Sequence, residues 1–248
     1  MEDNAPHYIN GPKGRLAFRR IEGTGPTIVW FGGYASDMLG TKAEALATYA
    51  SQAEQNYLRF DYSGHGESDG TFEDHVISDW LADSLAMLND QAPGPKILVG
   101  SSMGAWITLL LALQNPTDIA GIVLIAPAPD FTERLVWPRL PEHHRIKVFE
   151  EGIVKTGPTG HDSETYTQAL FEDGRKHLLM AEPIVLPCPV RILQGTKDEA
   201  VPTEHALKLS EQIEAPSLVT TLIKNGDHRL SEPEDLDRLV QTVMELLG

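Results

Sequence analysis

The chain has 248 residues, of which 41% are hydrophobic and 23% are charged, so a folded globular protein is expected rather than a disordered one. Its formal net charge is -16, from 20 basic and 36 acidic residues; such a surface repels phosphate backbones and argues against nucleic-acid binding. The longest apolar run, 107–113, is far too short for a membrane span, and the polar residues 1–12 carry no targeting signal, so we expect a cytoplasmic protein.

Short apolar runs alternate along the chain with longer segments of helical periodicity. The runs are 27–31, 57–60, 96–99, 119–125, 190–193 and 218–223. The helical segments are 42–55, 76–89, 103–114, 204–213 and 233–247. Continuous apolar runs are typical of parallel strands buried on both faces, so this alternation predicts an α/β fold with a mostly parallel, doubly wound sheet. A further segment, 15–21, predicts antiparallel strands at one edge.

The alternation stops between residues 130 and 187, where charges, prolines and histidines mix with short apolar clusters. Irregular connections of this length are uncommon unless they are functional. We therefore interpret 130–187 as an inserted, mainly helical cap on an α/β-hydrolase core formed by 1–129 and 188–248; the alternative is a long irregular connection. Its apolar residues either line an acyl pocket or pack the cap onto the sheet: Leu135, Val136, Trp137, Leu140, Val148 and Phe149.

The segment Gly-Ser-Ser-Met-Gly at 100–104 lies between an apolar strand and a helix. A serine hydroxyl is a poor nucleophile unless it is exposed, oriented and served by a base. A sharp strand-to-helix turn supplies the exposure, and glycine on both sides relieves the crowding that such a turn creates. We therefore assign Ser102 as the nucleophile. Ser101, one position earlier, is interpreted as a structural hydroxyl.

An acid and a histidine follow in the order that this type of hydrolase requires. Asp198 lies in the loop after the run 190–193, where it is placed to orient a histidine and stabilise its charged form; the rival is Glu199. His228 lies between the run 218–223 and the last helix and is the candidate general base. Asp227 is a poor candidate for the orienting acid, because adjacent side chains rarely face each other.

Acyl transfer also needs donors for the oxyanion of a tetrahedral intermediate. One candidate is the backbone N–H of Met103, directly after the nucleophile. The other is the backbone N–H of Tyr34, in the Phe-Gly-Gly-Tyr segment that ends the first clear apolar strand. The alternative for these glycines is a turn that only reverses the chain.

Other polar groups receive structural interpretations. His65, in a glycine-rich loop, has the wrong chain position for the base. Cys188, the only cysteine, stands between two prolines and is expected to be a buried, inert thiol. Four cap residues resemble no strong metal-ligand spacing and are expected to be solvated, so no metal site is predicted: His143, His144, His161 and Asp162.

Four segments carry a family resemblance: 31–38, 59–64, 99–104 and 227–229, with 40–43 in support. On these segments the chain resembles the α/β-hydrolase superfamily, and within it the relatives of a mitochondrial palmitoyl-protein thioesterase and mycophenolic acid acyl-glucuronide esterase. The resemblance implies that Ser102, Asp198 and His228 form a catalytic triad. It does not carry over mitochondrial import, since we find no transit peptide in this sequence.

We therefore expect a serine hydrolase that cleaves carboxylic esters or thioesters through an acyl-enzyme, without a metal or organic cofactor. The expected substrate is a small-molecule ester, thioester or acyl glucuronide, or an acylated protein. The same triad also serves peptidases and C–C hydrolases, and a non-catalytic binding protein on this fold is the remaining alternative. The stretch 131–157 has five basic and four acidic residues in an otherwise acidic chain, and its arginines predict a rim that steers anionic substrates: Arg134, Arg139 and Arg145.

Overall fold

A computed structural model describes residues 5–157 and 164–248. Within these residues an eight-stranded sheet contains β1 (His7–Gly11), β2 (Gly14–Ile21), β3 (Thr24–Phe31), β4 (Gln55–Phe60), β5 (Lys96–Ser101), β6 (Ile119–Ile125), β10 (Val190–Gly195) and β12 (Leu218–Ile223). Their order across the sheet is β1-β2-β4-β3-β5-β6-β10-β12. The first two strands are antiparallel to each other, and β2 is antiparallel to β4, whereas all later pairs are parallel.

Five helices cover the two faces of the sheet; four of them connect strands, and the last follows the final strand. They are α1 (Thr41–Gln52), α2 (Ile77–Gln91), α3 (Met103–Gln114), α6 (Thr203–Gln212) and α7 (Pro233–Leu247). Separate apolar clusters fill the two faces, one containing Leu98 and Trp106 and the other containing Val99 and Leu239. This arrangement confirms the predicted fold class. The predicted bounds agree for β6, α3, β12 and α7, and β1 is an additional edge strand.

The residues between β6 and β10 contain the segment interpreted as a cap. They include a π-helical turn (Thr132–Val136) and a 3-10 turn (Trp137–Arg139). Their other elements are α4 (Glu142–Glu151), β7 (Ile153–Thr156), β8 (Glu164–Thr167), α5 (Gln168–Gly174), a 3-10 turn (Arg175–His177) and β9 (Ile184–Val185), which pairs with β11 (Ile213–Glu214). Helical residues predominate, as expected, but the antiparallel β7–β8 hairpin was not predicted.

One buried carboxylate joins the start of this segment to its later part. Asp130 is fully buried and accepts hydrogen bonds from the backbone N–H groups of Leu179 (2.7 Å) and Met180 (2.9 Å) and from Nε of Arg134 (3.0 Å). The first residue of the segment is therefore held against the chain at 179–180, short of the predicted end at 187. The boundaries 130–187 remain an interpretation of the sequence.

Cys188 is buried beside β10, as expected for an inert thiol, and burial raises its pKa to about 11. Among the residues described, no helix combines the length and apolar character that crossing a bilayer would require.

Candidate active site

Ser102 occupies a sharp turn between β5 and α3. Its backbone has φ 55° and ψ −117°, a conformation that L-residues rarely adopt. The flanking glycines have no room for a side chain: a Cβ at Gly100 would lie 2.5 Å from the carbonyl oxygen of Gly104, and one at Gly104 would lie 2.2 Å from the carbonyl oxygen of Phe31. The turn is held by the Ser102 N–H, which donates to the Ile125 carbonyl at 2.9 Å. The strained turn thus lies at the carboxyl end of the central strand.

The three residues predicted to form a triad are hydrogen-bonded to one another. Nε2 of His228 lies 3.1 Å from Oγ of Ser102, and Nδ1 of His228 lies 2.8 Å from Oδ2 of Asp198. The Asp198 side chain is fully buried, whereas that of His228 is about one-third exposed (32%). A buried carboxylate at Nδ1 favours the tautomer whose Nε2 accepts a proton from the serine.

The loop after β10 fixes the orientation of Asp198. Its Oδ1 accepts the N–H of Val201 at 2.8 Å, and its Oδ2 accepts the side-chain amide of the buried Gln194 at 3.3 Å. The same amide donates to the carbonyls of Gly195 and Val201, both at 3.0 Å. The role of Gln194 was missed in the sequence, because a glutamine inside a strand gives no signal of its side-chain partners.

The rival residues occupy other positions. Ser101 is buried at the end of β5, and the side chain of Glu199 is exposed. Asp227 accepts the N–H groups of Arg229 and Leu230, so its carboxylate organises the histidine loop rather than the histidine ring. His65 is buried, and burial lowers its pKa to about 4, which keeps the ring neutral.

The loop that follows β3 lies directly beside the nucleophile. A Cβ at Gly33 would be 3.5 Å from Cβ of Ser102, so the main chain of this loop passes the serine at contact distance. A turn closes after it, in which the Ser36 N–H donates to the Gly33 carbonyl at 3.2 Å. Tyr34 lies inside this turn, and Met103 is the first residue of α3. The two proposed oxyanion donors thus flank Ser102.

A cavity of about 420 Å³ opens onto Ser102 and His228. Its volume is within the range of small-molecule sites, which are usually lined by apolar side chains. Its apolar lining comes from both the core and the inserted segment: Met103, Ala128, Phe131, Leu135, Val136, Leu140, Pro141, Ala200 and Val201. The polar and aromatic lining consists of Tyr34, Arg139, His144, Thr156, Glu164 and Tyr166.

The structure corrects part of the expected acyl pocket. Leu135, Val136 and Leu140 line the cavity, as one alternative required. Val148 is buried in the core cluster, and Phe149 is 63% exposed with its ring against Trp137. The three lining residues precede α4, whereas Val148 and Phe149 lie in α4 and do not line the cavity.

The predicted basic rim is reduced to one arginine. Arg134 is paired with the buried Asp130, and Arg145 donates to the Pro138 carbonyl. Only Arg139 of the three lines the cavity, where its Nη1 donates to the carbonyls of Glu199 (3.0 Å) and Ala200 (2.9 Å). The expectation of a three-arginine rim was therefore wrong, since composition alone does not show which side chains reach the cavity.

The histidines of the segment differ in position. His143 is exposed as expected, whereas His144 is half-buried and lines the cavity. The other two residues considered for a metal site, His161 and Asp162, lie outside the described residues.

A second contact of serine, histidine and aspartate was not foreseen. Oγ of Ser78 donates to Oδ1 of Asp173 at 2.8 Å and lies 2.7 Å from Nε2 of His177. Here the carboxylate contacts the serine directly, and Ser78 also donates its backbone N–H to Oδ2 of Asp173. This geometry fastens α5 to the start of α2. It does not provide a histidine that is oriented by an acid on one side and free to activate a serine on the other.

Comparison with known proteins places the chain in a family. The sequence profile of the alpha/beta hydrolase family matches residues 28–242. The chain is 34% identical over 240 residues to the mouse protein named palmitoyl-protein thioesterase ABHD10, mitochondrial, covering 94% of this chain and 78% of the mouse protein.

Solved structures agree with this result. The structure of alpha/beta hydrolase domain-containing protein 10 from mouse matches with a TM-score of 0.89 and 33% identity, over 98% of both chains. A protein of Agrobacterium vitis S4, assigned as a hydrolase, matches with a TM-score of 0.94 and 43% identity, over 98% of this chain and 99% of that one. The resemblance noted in the sequence is thus confirmed, and the chain belongs to the alpha/beta hydrolase family.

Proposed function

We propose that this protein is a serine hydrolase that cleaves carboxylic esters and thioesters through an acyl-enzyme on Ser102. The observation that carries the proposal is the continuous chain of hydrogen bonds from Asp198 through His228 to Oγ of Ser102, at 2.8 Å and 3.1 Å. Each contact is within the range of a working hydrogen bond. The apolar cavity at the serine supports an acyl substrate, as does the similarity to a protein named as a thioesterase.

In the proposed reaction, Oγ of Ser102 attacks the carbonyl carbon while Nε2 of His228 accepts the serine proton. The N–H groups of Tyr34 and Met103 donate to the resulting oxyanion. Collapse of the intermediate expels the alcohol or thiol, which takes the proton from His228, and leaves the acyl group on Ser102. Water then attacks this ester and gives a proton to His228. The carboxylic acid is released as the proton returns to Oγ of Ser102. No step requires a metal or organic cofactor.

The cavity determines which acyl groups enter. Its apolar side chains favour a hydrocarbon chain, and its volume of about 420 Å³ is within the range of small-molecule sites. We therefore propose medium-chain acyl esters and thioesters as substrates, with small molecules and acylated proteins as their carriers. Arg139 supports an acyl glucuronide as a further substrate, because its charge lies at the cavity wall.

The test is labelling of the purified chain with a fluorophosphonate probe. We expect Ser102→Ala to abolish labelling, while Ser101→Ala and Ser78→Ala, which make the same replacement at the two rival serines, keep it. Labelling that survives in Ser102→Ala, or that is lost in Ser78→Ala, contradicts the proposal. A panel of esters, thioesters and an acyl glucuronide, with chains from acetyl to palmitoyl, then tests the substrate class; a peptide and a C–C substrate in the same panel test the two alternative reactions.

The compartment is a separate question. The relatives are named as mitochondrial, so the expected cytoplasmic location is not supported by them and stays a prediction for this chain. Fractionation of the source cells, with antibody detection, decides between the two.

A further inference from the structure

Tyr34 joins the inserted segment to the loop beside the nucleophile. Its side-chain hydroxyl donates a hydrogen bond to the backbone carbonyl of Thr165 on β8. Its ring lies parallel to the ring of Tyr166, with centroids 5.6 Å apart and planes 10° apart. Two consecutive residues of the β7–β8 hairpin therefore hold one side chain of the core.

The core encloses the rest of this ring. Phe72 and Trp80 meet it edge to face at centroid distances of 4.9 and 5.8 Å, and Phe131 lies at 5.5 Å. Such aromatic pairs contribute roughly 0.5–1.5 kcal/mol each beyond the area that they bury. Burial raises the pKa of Tyr34 above its usual range, so its hydroxyl keeps the proton that it donates. The side chain is thus fixed between the hairpin and the core.

The main chain of the same residue is fixed beside the nucleophile. Gly33 passes Ser102 at contact distance, and the Ser36 N–H closes the turn around Tyr34. Because the backbone around Tyr34 is held in this way, a displacement of its side chain also displaces its backbone N–H. Misplacement of a catalytic group by about 1 Å can cost on the order of 100-fold in rate.

We propose that the Tyr34 side chain is a positioning group through which the β7–β8 hairpin sets the Tyr34 N–H against the oxyanion. The inference rests on the proposed function and adds a coupling to it: the oxyanion donor is in place only when the hairpin is seated on the ring. Loss of the contacts from Thr165 and Tyr166 would therefore reduce catalytic competence.

Three variants test this coupling. Tyr34→Phe keeps the ring and removes the hydrogen bond to Thr165, and Tyr166→Leu removes the stacked ring. Tyr57→Phe is the matched control, because it also keeps the ring and removes a buried hydroxyl that donates to a backbone carbonyl, that of Ala43, at a residue that does not line the cavity. With p-nitrophenyl butyrate we expect roughly tenfold lower kcat for Tyr34→Phe and Tyr166→Leu, with KM within about twofold, and wild-type constants for Tyr57→Phe.

A transition-state analogue separates positioning from a structural effect. A trifluoromethyl ketone that adds to Ser102 forms the oxyanion itself, so its inhibition constant should rise by the factor by which kcat/KM falls. The double variant Tyr34→Phe/Tyr166→Leu should lose little more than the larger single loss, because both changes break the same link. Urea midpoints for all variants record whether each protein is folded.

Some results would overturn the coupling. They are a wild-type kcat in Tyr34→Phe and Tyr166→Leu, a change confined to KM, or an inhibition constant that does not follow kcat/KM. If Tyr34→Phe fails to fold, Tyr166→Leu carries the test through its kcat and its inhibition constant. Failure of the proposed function has a different signature, because the wild-type protein would then show no probe labelling that depends on Ser102.

Discussion

The ammonium group of Lys42 on α1 donates a hydrogen bond to the backbone carbonyl of Arg229, the residue after His228. From the other side, Oδ1 of Asp227 accepts the N–H groups of Arg229 (3.0 Å) and Leu230 (2.9 Å). The loop that carries the proposed general base is thus held on both sides of His228. A catalytic group on a loop requires such support to keep its geometry.

Lys42→Met should therefore lower kcat by roughly tenfold with little change in KM, because the His228 loop loses one of its two attachments. The control is Lys224→Met, which makes the same change of charge at an exposed residue after β12. Steady-state kinetics with one neutral ester measures both variants. Equal kcat values for them would mean that the Lys42 contact does not support the loop.

The same lysine predicts a pH dependence of stability. Burial lowers the pKa of Lys42 to about 8, against smaller opposing effects of Asp227 and Asp235. Between pH 8 and the ordinary value near 10.5, the unfolded chain holds this proton and the native chain does not. The free energy of unfolding therefore increases as pH rises from about 8 to about 10.5, and this increase is lost as pH falls back to about 8. Urea unfolding at about pH 7.5 and about pH 10 should show this increment in the wild type and not in Lys42→Met.

The two neighbouring carboxylates predict different kinetic losses. Asp198→Asn should lower kcat by on the order of 10⁴-fold, the size known for this change in a serine protease, because the histidine adopts the wrong tautomer. Asp227→Asn should cost about tenfold or less, because its side-chain oxygen still accepts the N–H groups of Arg229 and Leu230. Turnover measured for both variants on one ester checks this order, and a larger loss at Asp227 would reverse the assignment of the acid.

Arg139 predicts discrimination by charge. Arg139→Gln should lower kcat/KM for an anionic ester several-fold more than for a neutral one, since the guanidinium lies at the cavity wall. Arg145→Gln is the control, because that side chain contacts the Pro138 carbonyl and the Trp137 ring instead. Added salt should shrink the difference. If Arg139→Gln slows both esters equally at low salt, its charge does not select the substrate.

Asp130 predicts a large contribution to stability. Asp130→Asn should lower the free energy of unfolding by about 3 kcal/mol, because it leaves the N–H groups of Leu179 and Met180 facing an amide and unpairs Arg134. Glu133→Gln is the control in the same segment; its pair with Arg175 is partly exposed and is worth about 1 kcal/mol or less. Urea unfolding measures both, and similar losses would mean that the Asp130 anchor adds nothing beyond a surface pair.

The sequence was sufficient for those features that depend on local patterns. The bounds of α3 follow from the strained serine turn before it, and those of α7 from Pro233 in its first turn. The residues of the proposed triad were found because each lies in the turn or loop that follows a strand, and the carboxyl ends of parallel strands meet at one edge of a sheet. The hydrogen bonds between them are visible only in the folded structure.

The features that were missed depend on contacts between distant parts of the chain. The hairpin β7–β8 has strands of four residues with mixed polarity, which give no period for recognition. In the sequence Asp130 is an ordinary acidic residue of a loop, and its contact with Leu179 is visible only in the folded structure. Likewise, Ser78 and His177 are 99 residues apart, and no spacing rule joins them.

The anchor at Asp130 has a consequence for how this architecture changes during evolution. Because Asp130 ties the start of the inserted segment to the backbone at Leu179 and Met180, a graft that replaces residues between them and keeps these three should leave the underlying sheet in place. New substrate preferences can then arise by exchange of the enclosure. Such a replacement must also hold the Tyr34 ring as Thr165 and Tyr166 do, so the segment can vary freely in length but not at this contact.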